Sequence, residues 1–303
     1  LVGDRFDKVS NTVGKTLNLV DMVHKTAGTK TMEKASGWAR KAALNKLPQW
    51  NRSMPMSSKS VKINNPGLAT DLEVVYFPSC ASRMMGGPSQ EDIQRRDLPE
   101  TTVSLLKKAG YKILLPENLE SLCCGQAFAS KGFEEEGSKK AGKLSQALLK
   151  ISRDGSISIL CDTSPCLLRM KETLDSRLQL LEPVEFTLTY LMERLNFKQK
   201  EIEIAIHPTC STIKMGLADS LYELACRCAT KVVWPEQIFC CGFAGDRGFS
   251  FPELNESALK GLAGQVSRCD AGYSTSKTCE IGLSLHSRIP YRSILHLVDE
   301  VTF

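Results

Sequence analysis

Two Cys-Cys-Gly triplets, Cys123-Cys124-Gly125 and Cys240-Cys241-Gly242, are the residues in this sequence best suited to chemistry. Adjacent cysteines make poor disulfides, because consecutive Cα atoms lie ~3.8 Å apart and the usual disulfide span is ~4.4–6.8 Å. Two neighbouring thiolates aimed at one polynuclear metal centre avoid that strain. The glycine that follows permits a positive φ and lets the backbone approach a ligand closely. Further cysteines bracket each triplet in the same order. The first half offers Cys80, Cys123, Cys124, Cys161 and Cys166; the second offers Cys210, Cys240, Cys241 and Cys279, with Cys269 as a candidate fifth. Four thiolates complete a tetrahedral zinc site or hold an iron–sulfur cluster. A fifth exceeds what one zinc needs, which favours iron in the first half.

The other candidates are weaker. Cys226 and Cys228 stand at i and i+2 of an expected helix, do not face each other, and read as small buried hydrophobes, as does Cys269. His207, three residues before Cys210, reads as a hydrogen-bonded strand-end histidine or as a proton-handling group beside the second cysteine set. His24, His286 and His296 show no partner pattern, Gly86-Gly87-Pro88 lacks the flanks of a nucleotide-binding loop, and no Ser-His-Asp arrangement can be argued.

The elements that must position these cysteines are legible in the patterning. Val2, Phe6, Val9, Val13, Leu17 and Val20 fall at helical spacing and form one apolar stripe. A helical arm is expected over residues 1–47, interrupted at Gly28, resumed at Thr31 and stopped by Pro48, followed by a polar linker from Met54 to Pro66. Strands and helices then alternate. Leu72–Phe77, Tyr111–Leu115 and Ser156–Leu160 read as strands of the first half; Glu201–Ile206, Val232–Trp234 and Asp270–Ser274 read as those of the second. Helices are expected at Leu98–Ala109, Glu134–Ile151, Met215–Ala229, Leu254–Val266 and Tyr291–Val301, with another after Pro165.

Each half thus runs strand–Cys–helix–strand–Cys-Cys-Gly–helix–strand–Cys. The triplets are 117 positions apart, the leading cysteines (Cys80, Cys210) 130 and the trailing ones (Cys166, Cys279) 113, which argues for internal duplication. The expected fold class is α/β: an arm and linker over 1–70, then two tandem duplicated modules, 71–200 and 201–303, with parallel sheets flanked by helices. Ligands of such sheets gather beyond the C-terminal strand ends, where these cysteines fall.

Composition excludes several classes. The 303 residues are 42% hydrophobic and 24% charged, ordinary for a globular chain, and no stretch approaches the ~18 apolar residues of a membrane span. The start, Leu-Val-Gly-Asp-Arg, is neither a signal peptide nor a start methionine, so the sequence reads as part of a longer polypeptide. Twelve cysteines without an export signal favour metal or redox chemistry over disulfides and point to the cytoplasm. Net charge is +5, but residues 1–60 hold eleven Lys/Arg against four Asp/Glu, so the arm carries +7 and the remainder −2. A solvated helical surface accounts for this; the sharper reading is peripheral contact with the inner face of the cytoplasmic membrane or with an acidic partner. Nucleic acid is not expected, since no base-stacking aromatics interleave with the basic residues.

The cysteine spacing resembles the cysteine-rich CCG domain, found in the B subunit of heterodisulfide reductase, the glycolate oxidase iron–sulfur subunit and lactate-utilisation iron–sulfur proteins. Phe77-Pro-Ser-Cys-Ala-Ser-Arg83, Leu160-Cys-Asp-Thr-Ser-Pro-Cys166 and Cys240-Cys-Gly-Phe-Ala-Gly-Asp-Arg-Gly248 are similar to the C-terminal part of bacterial FAD- and iron–sulfur-containing D-lactate dehydrogenases. The resemblance covers about residues 72–303 and implies that all nine bracketing and triplet cysteines ligate [4Fe-4S]-type clusters, including the non-cubane kind. It implies an oxidoreductase in which FAD, held on a flavin part that this sequence lacks, takes electrons from a 2-hydroxy acid. Iron–sulfur centres then pass them to a quinone or cytochrome, with flavin and ferredoxin-like parts as partners. The alternatives are a structural zinc-binding assembly module and a catalytic cluster of the heterodisulfide reductase type. Two departures stand out: four residues separate Cys161 from Cys166 where the family often has two, and the counterpart of Cys161 in the second half is near Ser274.

Overall fold

The computed structural model describes residues 6–44, 47, 50–59, 61, 63, 70–89, 92 and 95–303. The expectations placed on Val2, Pro48 and most of residues 60–69 lie outside them. Two helices, α1 (Phe6–Ala27) and α2 (Thr29–Ala42), form the arm. They part at Gly28, whose φ of +76° suits a residue without a Cβ.

The first α/β unit follows: β1 (Glu73–Phe77), α3 (Cys80–Met85), α4 (Leu98–Lys108), β2 (Lys112–Leu114), α5 (Gln126–Ala129), α6 (Glu134–Ile151), β3 (Ile159–Cys161), α7 (Ser164–Thr173), β4 (Leu180–Leu181) and α8 (Pro183–Phe186). The second comprises β5 (Lys200–Ile206), α9 (Cys210–Lys214), α10 (Ala218–Cys228), β6 (Ala229–Val233), α11 (Arg247–Ser250), α12 (Pro252–Ala258), α13 (Leu262–Gln265), β7 (Ala271–Ser274), α14 (Lys277–Ser287), β8 (Tyr291–Ser293) and α15 (Ile294–Val301).

Each unit holds a four-stranded parallel sheet, and the two share one strand order: β2-β1-β3-β4 and β6-β5-β7-β8. Val74 lies opposite Ile113 and Tyr76 opposite Leu160, as Ile204 lies opposite Val232 and Ile206 opposite Tyr273. The chain turns one way from β1 to β2 and the other way to β3. The order therefore reverses beside β1, and beside β5 in the second unit, which opens a crevice at the strand C-termini.

Side chains alternate across each central strand. Val74 and Tyr76 join Ile204, Ile206, Tyr273 and α15 in one core common to both sheets. Val75 and Phe77 face the opposite way, into a core with Cys124, Cys161 and Cys166; Ala205 faces a third with Cys241, Cys269 and Cys279. Each cysteine set therefore stands over its own apolar floor, while the two sheets are joined back to back by the shared core.

Several expectations are corrected. Tyr291–Ser293 is not the start of a helix but a strand paired with β7, so α15 begins at Ile294. The helix expected at Leu254–Val266 is two pieces, α12 and α13, broken by Gly261 at φ +86°. Of the expected stripe on α1, Phe6 is buried and Leu17 and Val20 are half-buried, but Val9 and Val13 remain 40% and 39% exposed, and Ser10, Gly14 and His24 are buried instead. Contact distance decides this, because a Cβ on Gly14 would fall 2.6 Å from Ser57 Oγ. At this contact the arm packs through a glycine.

Candidate metal centre

In the first unit Cys80 is the first residue of α3, directly beyond β1. Ser79 caps that helix by accepting from the Ser82 backbone N–H. Cys161 ends β3, Cys166 lies in the first turn of α7, and Cys123-Cys124 follow β2 on a loop. Cys80 lies beside both Cys123 and Cys166, and Cys124 lies beside the same two, so four sulfurs form a ring. Hydrogen bonding from Cys123 and then Cys166 holds Cys80 and Cys124 well below the usual thiol range. Cys123 and Cys166 are pushed up in turn, first by Cys124 and then by Cys80. Cys161 stands outside it; burial first, then the Asp162 charge, pushes its thiol up. Cys80 is half-buried and the other four are buried.

The second unit repeats the placement with looser closure. Cys210 opens α9 beyond β5, capped by Thr209, which accepts from the Thr212 N–H. The Cys210 thiol donates to Cys240 Sγ at 3.7 Å and Cys241 donates to Cys279 at 2.9 Å. Cys240 and Cys241 adjoin, so the sulfurs form an open chain rather than a ring. Hydrogen bonding from Cys210, then Cys241, lowers the Cys240 thiol to about 2. Cys210 is exposed and Cys240 half-buried. Of the remaining cysteines, Cys226 and Cys228 lie on α10, and burial raises Cys228 to about 12. Cys269 is buried in the apolar floor of the second unit.

The glycines explain the triplets. Gly125 and Gly242 adopt φ of +83° and +71°. A Cβ there would fall 2.2 Å from Gly137 O and 2.3 Å from Leu254 O. Each glycine N–H donates to the first sulfur of its pair, Gly125 to Cys123 at 3.4 Å and Gly242 to Cys240 at 3.3 Å. The turn brings both sulfurs of the pair to one side and supplies an N–H to a sulfur.

Asp162, next to Cys161 and almost fully buried, ties the two cysteine-bearing loops of the first unit together. It accepts from Tyr76 Oη at 2.7 Å, the Ser79 N–H at 3.0 Å and Ser82 Oγ at 2.8 Å. Desolvation nevertheless raises its pKa. Arg83, one turn beyond Cys80, donates to the carbonyls of Leu119 and Leu122 at 2.6 Å each and so holds the strand of loop that enters Cys123. The arm reaches the second unit through the buried Arg40, which donates to the carbonyls of Phe249 and Ser250 at the end of α11. Asp162 and Arg83 lie inside the two motifs that carry the family resemblance, where no role of their own was expected. Arg40 was not singled out from sequence, and nothing local marked it.

His207 occupies the place of Phe77 in the first unit. It is 2% exposed, its Nε2 has no partner among the described residues, and burial lowers its pKa to about 4. It is a neutral group lodged in an apolar position.

The donors are soft thiolates, the set that both zinc and iron–sulfur centres use. Four sulfurs around one zinc at ~2.3 Å would all lie ~3.8 Å apart. Among the described residues no three His, Cys, Asp or Glu converge in that way. Paired thiolates with a backbone N–H on one sulfur of each pair are consistent with iron–sulfur binding.

Comparison with known proteins agrees with this chemistry. Residues 74–171 match the cysteine-rich domain family CCG. Lactate utilization protein A of Macrococcus caseolyticus is 22% identical over 228 residues, which span 69% of this chain and 91% of that protein. Among solved structures, the aspartate racemase of Picrophilus torridus shares 12% identity at a TM-score of 0.32, covering 77% of this chain and 94% of that one. An aspartate racemase homologue from Pyrococcus horikoshii shares 10% at 0.29, covering 76% and 96%. Likeness that slight carries no inference about activity.

Proposed function

We propose that this chain is the iron–sulfur electron-transfer part of a lactate-oxidising system, the FAD-linked D-lactate dehydrogenase type being the specific form. Cys80, Cys123, Cys124 and Cys166, with Cys161 alongside, would hold one cluster; Cys210, Cys240, Cys241 and Cys279 would hold a second. The carrying observation is the duplication: two parallel sheets of identical strand order each gather four neighbouring cysteines at the same C-terminal edge. The match of residues 74–171 to the cysteine-rich family and the likeness to a lactate utilization protein support it.

Bound clusters would supply one-electron carriers between a reduced flavin and a quinone or cytochrome. The chain's own residues do the rest. The triplet turns fix paired sulfurs, Asp162 and the Thr209–Thr212 cap fix the loops of the leading cysteines, and the apolar floors keep water from the buried sulfurs. Oxygen-free reconstitution with iron and sulfide tests the proposal. Iron and labile sulfide in two cluster equivalents, with broad visible absorbance and an EPR signal on reduction, are expected. Protein that takes up neither, or one zinc per site without absorbance, refutes it.

A further inference from the structure

A cavity of about 250 Å³ lies between α1, the segment of residues 57–59 with Val61, and α3. At ~30 Å³ per water it has room for about eight, the scale of a small molecule. Its walls are held in place by side-chain bonds. Asn18 Oδ1 accepts from the Ser57 N–H at 3.0 Å, and Ser58 Oγ donates to Ser82 O at 2.6 Å.

The lining is largely polar, and its charged members are mostly cationic. Lys15 of α1, Lys59 of the segment and Arg83 of α3 face one carboxylate, Glu120, which is 57% exposed and 3.7 Å from Arg83. Arg83 spends its two terminal nitrogens on carbonyls, and its Nε–H has no acceptor among the described residues. Ser10, only 8% exposed, lines the same space, and its hydroxyl is likewise without a partner among those residues. A buried hydroxyl left unpaired is costly, so the position points to a ligand group. Cys80, the one half-buried member of the first ring, also lines the cavity.

We infer that this cavity is a binding site for a small oxyanion, a carboxylate or phosphate, held by Lys15, Lys59 and Ser10 against the Cys80 edge of the first cysteine ring. Such a site gives a diffusible anion access to the first centre from beneath the arm, and it accounts for part of the arm's positive charge. The cavity stands on its own geometry; only its bearing on electron transfer rests on the function proposed above.

Calorimetric titration of the whole chain with oxalate and, separately, with inorganic phosphate tests the inference. One saturable site is expected for at least one probe, and the better probe identifies the oxyanion class. The pair Lys15→Ala/Lys59→Ala should weaken binding about a hundredfold or more, the loss of two charge-assisted hydrogen bonds. Ser10→Ala should weaken it less, and the equally exposed control pair Lys150→Ala/Lys231→Ala not at all. Saturating oxyanion should also slow iodoacetamide labelling of Cys80 but not of exposed Cys210, read by peptide mass spectrometry. No heat with either probe at millimolar concentration, equal weakening by the control pair, or unprotected Cys80 overturns it. Iron and sulfide assayed in the same preparation separate the two readings. Binding without iron uptake refutes only the clusters; uptake without binding refutes only the cavity.

Discussion

The two cysteine sets occupy matching backbone positions but rest on different supports. Both have a leading cysteine at a capped helix start, a triplet on a positive-φ glycine, and a trailing cysteine in the first turn of a helix. Around these points the side chains diverge. With the offsets of the two halves applied, Tyr76, Phe77 and Arg83 correspond to Ile206, His207 and Ile213, while Cys161 and Asp162 correspond to Ser274 and Thr275. The first unit locks its loops with a buried carboxylate. The second does so with hydroxyls: Thr212 Oγ1 and Thr275 Oγ1 are 2.9 Å apart, and Ser274 Oγ donates to His207 O at 2.7 Å. The two units share what backbone geometry requires of a paired-cysteine turn, and their surrounding networks differ. The outcome is one closed, buried set and one open set with an exposed sulfur.

The largest test of this contrast removes one set at a time. Cys124→Ser should abolish iron uptake by the first unit and spare the second, and Cys241→Ser the reverse, so each variant retains about half of the iron and sulfide, as expected when a cluster loses a thiolate ligand. Loss of all iron in either variant would show that the two sets are not separate centres.

Replacing the triplet glycines is the next largest perturbation. Gly125→Ala and Gly242→Ala each force a Cβ into a backbone carbonyl at positive φ, and a loss of about 3 kcal/mol in denaturant unfolding is expected from each. Similar costs in both would confirm that the two triplets do the same backbone work. The supports should then separate the units. Asp162→Asn leaves a buried network short of an acceptor and should cost about 2–3 kcal/mol, whereas Thr275→Val should cost about 1. Equal losses would remove the distinction between a carboxylate-locked and a hydroxyl-locked unit.

The smallest effect concerns the seam between the halves. His296 of α15 is buried, and its Nε2 accepts from Arg95 while Nδ1 donates to Thr101 Oγ1 at 3.1 Å, which requires the neutral ring. Burial first, then the positive charges of Arg95, Lys277, Arg292 and Arg96, hold its pKa well below 6.5. The unfolded chain therefore binds a proton near pH 6.5 that the folded chain refuses until lower pH. Stability is full above pH 6.5 and falls as the pH drops below it, at up to about 1.4 kcal/mol per unit from this group. His296→Gln should flatten that slope between pH 6.5 and 5 in urea titrations. An unchanged slope would assign the acid sensitivity elsewhere.

Much of this was legible before any coordinates. β1 stood out as an apolar run and β5 as an alternating one, each followed within four residues by a cysteine, and the offsets between the cysteines suggested two units. Other elements were not legible because their signals are not local. β4 has two residues, too few to show a period, and β8 runs straight into α15, so its three residues read as the start of that helix; each is held by a parallel ladder to a neighbouring strand. The valine stripe of α1 has the right spacing for a buried face. Gly14 allows a closer approach on another face, however, and close packing won over apolar content.

The sequence by itself determined the chemistry available: nine cysteines in a repeated order, two glycines able to turn a paired thiolate toward a centre, and strands to carry them. Residue type and near-neighbour spacing suffice for that, because a triplet turn and a helix cap are built from residues within a few positions of one another. Only the tertiary structure decided which sulfurs meet. It closed Cys80, Cys123, Cys124 and Cys166 into a ring, left Cys161 beside it, and left Cys210 open to solvent. It also decided that Asp162 and Arg83 would hold the loops and that the arm would roof a polar cavity at Cys80. Those outcomes depend on contacts between residues tens of positions apart, whose distances are set by sheet order and helix packing rather than by any local pattern.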